Sequence, residues 1–206
     1  AFGPSAPTVA STSVGDVVVY AGGDGNLYYA VKPSPSTAFT LSAQAGSIAG
    51  LANTISPTPI VDAAGNLEVF YVRDSDRVVC RTTLALPAQT WSSEEVVHAS
   101  AITDRSPAAS LSPAGDLYVS WHAFNSASIF FTKGTTTFGA PLPVATPASA
   151  SNGPVMTSST ESTVDSEVLY SSGGKLFHMR LAGTTVTGGE VPGLTSVTDV
   201  AATTVP

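Results

Sequence analysis

Short runs of alternating apolar and polar residues recur along this chain about every fifty residues. Gly15, Gly65 and Gly115 sit in matching turns, Val14-Gly15-Asp16, Ala64-Gly65-Asn66 and Ala114-Gly115-Asp116, and each turn leads into such a run. A fourth, shifted copy spans Ser166 to Ser171. Period-two alternation bounded by turn residues predicts antiparallel strands, and no stretch carries helical periodicity. Self-similarity at this period predicts an array of small equal units, none of which can bury its apolar face alone.

Laid over one another, the copies each read as four strands. The first strands are Pro-led: Pro7 to Ala10, Pro57 to Val61, Pro107 to Leu111 and Pro154 to Thr157. The second follow the turn: Val17 to Ala21, Leu67 to Arg73, Leu117 to His122 and Glu167 to Ser171. The third are Asn26 to Ala30, Arg77 to Arg81, Ser128 to Thr132 and Lys175 to Met179, and weaker fourth strands surround Phe39, Trp91, Phe138 and Val186. A large ring recurs in the second strand at Tyr71, Trp121 and Tyr170, where the first copy has Ala21 with Tyr20 beside it. Leu27, Val78, Ile129 and Leu176 form one column of the third strand, and Tyr29, Cys80, Phe131 and His178 form another two residues on. Residues at i and i+2 share a face, so these columns are expected in the core. The predicted fold is all-β, a four-bladed β-propeller of about 50-residue four-stranded repeats. It is read as one domain over 1–206, with repeats near 5–55, 56–105, 106–152 and 153–206. The tail from Ala201 to Pro206 falls where a fifth first strand would stand, so one end can close a four-bladed ring against the other; the competing readings are a piece of a longer propeller and an oligomer that completes a larger ring.

Composition narrows the functional classes. Apolar residues make up 43% of the chain, enough for a core, whereas charged residues are only 11%. An average protein carries roughly 25% charged residues. Ser, Thr, Ala, Gly and Pro fill the gap, a composition suited to secreted all-β proteins, and an extracellular location is expected. The formal net charge is −7 with no Lys/Arg cluster, which argues against nucleic acid. No apolar run reaches the roughly 18 residues of a membrane span. An Ala1 start fits a trimmed mature form and equally fits a boundary drawn within a longer chain. The single cysteine, Cys80, excludes an intrachain disulfide and a Cys-rich metal site, and its apolar setting reads as a buried thiol.

No catalytic motif, phosphate loop or metal motif is present, and no cofactor is expected. Asp74-Ser75-Asp76 lacks the Gly and distal Glu of a calcium loop and reads as a hairpin turn. Of the three histidines, His122, beside Trp121 at a strand end, is kept as a binding candidate. Glu94 and Glu95 are adjacent and should point to opposite faces of a strand. The second copy gathers Glu68, Arg73, Arg77, Arg81 and Trp91. An aromatic face with charged hydrogen-bonding groups suits a sugar, because rings pack on C–H groups while Arg and Glu fix hydroxyls. The alternative reading of the same charges is cross-strand ion pairs on a hairpin. The binding candidates are Trp91, Trp121, Glu68, Arg73, Arg81 and His122.

Two stretches of this pattern, Asp16-Val17-Val18-Val19-Tyr20 with Asp24-Gly25-Asn26-Leu27-Tyr28-Tyr29 and Leu67-Glu68-Val69-Phe70-Tyr71 with Arg77-Val78-Val79-Cys80-Arg81, resemble the blades of fucose-binding β-propeller lectins. Those blades carry Arg where this chain has Val18, Glu68 and Tyr118, and Glu where it has Ala30 or Thr132. The resemblance therefore implies the fold and not fucose specificity. A weaker one, through Ser112 to Trp121, is to sialidase-type propellers, without their Asp in the Gly134 to Phe138 turn and without an arginine triad. The functional expectation is a secreted, non-catalytic, carbohydrate-binding module. A protein-interaction propeller within a larger assembly, homo-oligomeric or otherwise, and a small glycoside hydrolase or lyase are the alternatives.

Overall fold

The computed structural model describes residues 5–36, 38–40, 42–145 and 153–201. The tail segment 202–206, expected to stand as a fifth first strand, lies outside them, as do Ala1 to Pro4. Among the described residues there is no helix, and the strands form four antiparallel sheets, one per repeat. The chain divides into two compact units, Ala1–Ala99 and Ser100–Pro206, each holding two sheets.

In the first unit, sheet one is β1 (Thr8–Thr12), β2 (Gly15–Ala21), β3 (Leu27–Pro33) and β4 (Ala43–Gln44), in that order. Sheet two is β5 (Thr58–Val61), β6 (Leu67–Val72), β7 (Val79–Ala85) and β8 (Thr90–Trp91), with β9 (Glu95–Val96) also paired to β7. In the second unit, sheet three is β10 (Ala108–Leu111), β11 (Leu117–His122), β12 (Ile129–Gly134) and β13 (Leu142–Ala145). Sheet four is β14 (Val155–Ser158), β15 (Ser166–Ser172), β16 (Lys175–Ala182) and β17 (Thr185–Glu190). The first three strands of each copy overlap the runs the alternation marks, but the third strand of the second copy, expected over Arg77 to Arg81, runs later, from Val79 to Ala85. Two of the fourth strands also run later. Phe39 is an exposed loop residue and the strand is Ala43–Gln44, while Phe138 makes a single bridge to Gly134 before the strand Leu142–Ala145.

Packing within each unit follows one rule. The face of sheet one carrying Val17, Val19 and Tyr29 lies on the face of sheet two carrying Tyr71, and Tyr29 meets Trp91 edge to face at 5.2 Å. The face of sheet three carrying Tyr118 and Phe131 lies on the face of sheet four carrying Val168 and Tyr170. In both units a large ring of the second sheet points at the sheet before it.

That rule corrects the first copy. Ala21 shares its face with Val19, toward the following sheet, so the counterpart of Tyr71, Trp121 and Tyr170 is Tyr20. The shift arises because β1 and β2 join through a tight hairpin pairing Thr12 with Gly15, whereas Gly65 and Gly115 sit in five-residue turns closed by Asp62–Asn66 and Ser112–Asp116 bonds. The third-strand columns also move in the second copy. Opposite Phe70 stands Arg81, and opposite Val72 stands Val79, matching Phe131 and Ile129 opposite Ser120 and His122. Arg81, not Cys80, therefore occupies the column of Tyr29, Phe131 and His178. In sheet four that column, with Leu176 and His178, is only half-buried, and His178 bonds Glu167 at 2.8 Å. Both faces of β6 and β11 are buried, whereas β2 and β15 each have one buried face and one half-exposed face.

Candidate functional site

Two constellations in the first unit combine rings with carboxylates. The second copy supplies the one the charges point to. Glu68 and Arg81 are only 5% and 6% exposed. The Thr83 hydroxyl donates to Glu68 Oε1 at 3.0 Å, Arg81 Nη1 stands 3.9 Å from Glu68 Oε2, and Arg81 Nε and Nη2 both donate to Glu95 Oε2 at 2.9 and 2.7 Å. Burial pushes the Glu68 carboxyl above its ordinary value, and the Arg81 charge only partly offsets it. Glu94 points to the opposite side, as adjacent strand residues must. It accepts from the Tyr71 hydroxyl at 2.8 Å and from Arg73 Nη1, while Arg73 Nε and Nη2 hold both oxygens of Asp76 at 3.0 and 2.7 Å. Asp74 pairs with Arg77, so the Asp74-Ser75-Asp76 segment is a hairpin turn tied by ion pairs. The hairpin's charges pair with one another, and Glu68 and Arg81 are buried nearly completely, so they offer little surface to a sugar.

The remaining candidates fall elsewhere. Trp91 is half-buried, its ring against Tyr29. Trp121 is 1% exposed and stacks on Phe130 at 6.3 Å, which leaves no ring face for a ligand. His122 is buried at the end of β11. Glu68 and Arg81 are brought together, Arg73 belongs to the separate Glu94 group, and Trp121 and His122 stand in the other unit. Burial pushes the Cys80 thiol up to about 12, the state of an inert core thiol. Among the described residues no three His, Cys, Asp or Glu side chains converge as a metal site.

The first copy supplies the accessible constellation. Tyr20 and Tyr28 are paired across β2 and β3, their rings stacked at 5.6 Å and 14° on the half-exposed face of sheet one. They line a pocket of about 360 Å³ with Gly23, Asp24 and Ser42. Asp24 holds its place through the turn: Oδ1 accepts from the Asn26 amide at 3.1 Å, and Oδ2 accepts from Asn26 Nδ2 and the Tyr28 hydroxyl, each at 2.8 Å. These bonds hold the Asp24 carboxyl below its ordinary value, the Asn26 backbone bond foremost. Tyr20 and Ser42 hydroxyls bond to each other at the opposite rim. Two glycines make the turn possible. A Cβ at Gly22 would sit 2.5 Å from Asp24 Oδ1 and 2.6 Å from the Tyr28 ring, and Gly25 has a φ of +76°. The sequence shows each of these residues, yet the shifted register of the first copy hid Tyr20 as the column ring and so hid the pocket.

Comparison with known proteins places this geometry on a fold. No protein-family model matches the chain, and no curated protein is similar to it in sequence. Among solved structures, a triple arginine-to-alanine mutant of AofleA from Arthrobotrys oligospora is 13% identical with a TM-score of 0.66, over 91% of this chain and 57% of that one. An alpha-L-arabinanase from Penicillium chrysogenum, complexed with arabinobiose, is 12% identical with a TM-score of 0.62, over 91% of this chain and 64% of that one. The fold is a β-propeller. Its blades are the four sheets, one per repeat. The chain spans less than two thirds of the length of either structure. A fucose lectin from Kordia zhangzhouensis in complex with methyl-fucoside aligns over 65% of this chain and 97% of its own, at 11% identity and a TM-score of 0.47, a likeness too loose to bear an argument.

Proposed function

We propose that this chain is an extracellular, non-catalytic carbohydrate-binding module whose ligand sits on the Tyr20–Tyr28 pair. The observation that carries the reading is a stacked, half-exposed tyrosine pair beside a fixed carboxylate in a pocket of about 360 Å³. A sugar ring packs its C–H face on such a surface, and the Asp24 and Ser42 oxygens lie at the rim to take its hydroxyls. Propeller neighbours give independent support, since the arabinanase of the same fold was captured with a disaccharide. Glycoside hydrolysis requires two carboxyl groups flanking one bond, and Asp24 is the only carboxylate lining this pocket. Low charge content fits a role outside the cell. A glycan array on the intact chain tests the reading. Binding to one sugar class, with Tyr20→Ala and Tyr28→Ala each weakening it by about tenfold or more, is the expected result. A blank array overturns it.

A second reading rests on a different observation. On the same face Val9 is 60% exposed, although the corresponding ring faces of sheets two and four are buried against a neighbouring sheet. A four-stranded sheet from a second copy would cover it. Light scattering distinguishes the two, because a monomer that binds sugar leaves that face to the ligand.

A further inference from the structure

The charge of the Tyr20–Tyr28 pocket narrows the ligand, given the carbohydrate reading above. Asp24 is held only by neutral donors: the Asn26 amide, the Asn26 side chain and the Tyr28 hydroxyl. Its neighbour on the same sheet, Asp16, has Lys32 at 3.7 Å, and Asp74, Asp76, Glu94 and Glu95 each face an arginine. Among the described residues, no Lys, Arg or His lines the pocket. The two tyrosine rings lie nearly parallel, and each ring face carries the negative part of an aromatic quadrupole. The Asp24 carboxylate and the faces of the two rings thus carry the same sign of potential within one pocket lining, on a chain of net charge −7.

A neutral sugar uses only the stacking surface and the hydrogen-bond acceptors. A sugar bearing an ammonium group uses all of it: the cation sits against the rings and donates a charge-assisted bond to Asp24. Acetylating that amine removes the charge and the added bond together. We infer that the pocket selects an ammonium-bearing saccharide, a 2-amino-2-deoxyhexose unit, over its N-acetylated or neutral counterpart. Asp24 is the residue that sets the selectivity, and Tyr20 and Tyr28 provide the surface common to all sugars.

The test compares a glucosamine tetramer with the N-acetylglucosamine tetramer by calorimetry on the intact chain at pH 6 and low salt. The expected result is a preference of about tenfold or more for the free amine, shrinking as salt screens the contact. Asp24→Asn should remove most of the preference, leaving only the smaller part that the rings contribute. Asp16→Asn removes the same unit of charge outside the pocket and should leave the preference intact, which separates a local contact from attraction to the acidic chain as a whole. Equal affinities in the parent protein, or a preference undiminished by Asp24→Asn, overturns the inference while the carbohydrate reading stands. Failure of both tetramers, together with a blank glycan array, overturns the carbohydrate reading itself.

Discussion

Glu68 in the second sheet and Asp24 in the first are both carboxylates fixed beside aromatic rings, and their surroundings drive them in opposite directions. Glu68 is buried, shares Arg81 with Glu95, and is pushed above its ordinary value by loss of water. Asp24 is exposed, has only neutral donors, and is held below its ordinary value by hydrogen bonds. A buried charge must find its partners within the protein: Glu68 Oε1 accepts from Thr83, while Oε2 has no hydrogen bond and only the Arg81 charge at 3.9 Å, and it is burial that keeps the group from a ligand. An exposed charge held by its own turn keeps its field and spare acceptor capacity for something outside. The residue types at the two places are similar. Burial decides which one holds the fold together and which one can bind.

The largest test of this contrast is Arg81→Met. It strands Glu68 without its cation, and breaking such a buried pair costs about 3–5 kcal/mol. Urea unfolding should show that loss, while sugar affinity at the Tyr20–Tyr28 pocket stays at the parent value. The double change Glu68→Leu with Arg81→Met should recover most of the stability, because apolar packing of similar volume replaces the ion pair. A single Arg81→Met protein within about 1 kcal/mol of the parent would show that Arg81 is not structural, and would reopen it as a binding residue.

How far the sequence could be read follows from the same contrast. The second strands were legible because alternation survives wherever one face meets the core: Leu117–His122 was bounded to the residue. The four sheets and their order follow from four such runs. Phe39 and Phe138 misled because outer strands pair through a few backbone bonds and need no apolar signature. The register of the first copy changes at Gly15, where a two-residue hairpin replaces a five-residue turn and slips the residues of β2 by one, while Leu27 and Tyr29 of β3 keep their columns. A slip of one exchanges the faces of a strand, so Tyr20 was set beside its column and the pocket passed unseen. Similarly, Arg81 occupies a core column opposite Phe70, and composition alone gives no sign that a guanidinium is buried there.

Tyr71 and Tyr20 stand in one column of the repeat, and removing a single oxygen from each sharpens the comparison at smaller cost. The Tyr71 hydroxyl donates to Glu94, and burial and that bond both hold its proton in place. Tyr71→Phe should cost about 1.5–3 kcal/mol, the range for a hydrogen bond to a charged group. The Tyr20 hydroxyl meets Ser42 at an exposed rim. Tyr20→Phe should leave the unfolding midpoint unchanged and preserve most sugar affinity, since the ring face remains. Equal destabilisation by the two changes would place Tyr20 in the core and remove it from the pocket.

The smallest effect is the most specific, because it turns on the sign of a titration. Burial raises Glu68 above 4.5, so the folded protein holds that proton more tightly than the unfolded chain does. Stability from this group therefore falls as pH rises through the window between the unfolded and folded values, and at neutral pH its ionisation is a net cost. Asp24 runs the other way: its native value lies below 3.8, and the stability it brings is present above that value and lost as pH falls. Glu68→Gln removes the first contribution and leaves the second. Thermal unfolding across the acid range should show the variant slightly more stable than the parent at pH 7, with the two curves converging as pH falls below about 4.5, the unfolded value, where the parent becomes protonated in both states. A variant less stable at pH 7 would mean that the attraction of ionised Glu68 to Arg81 outweighs the desolvation it suffers. In that case the second-sheet cluster would be held by charge, and the difference between the two carboxylates would be one of access alone.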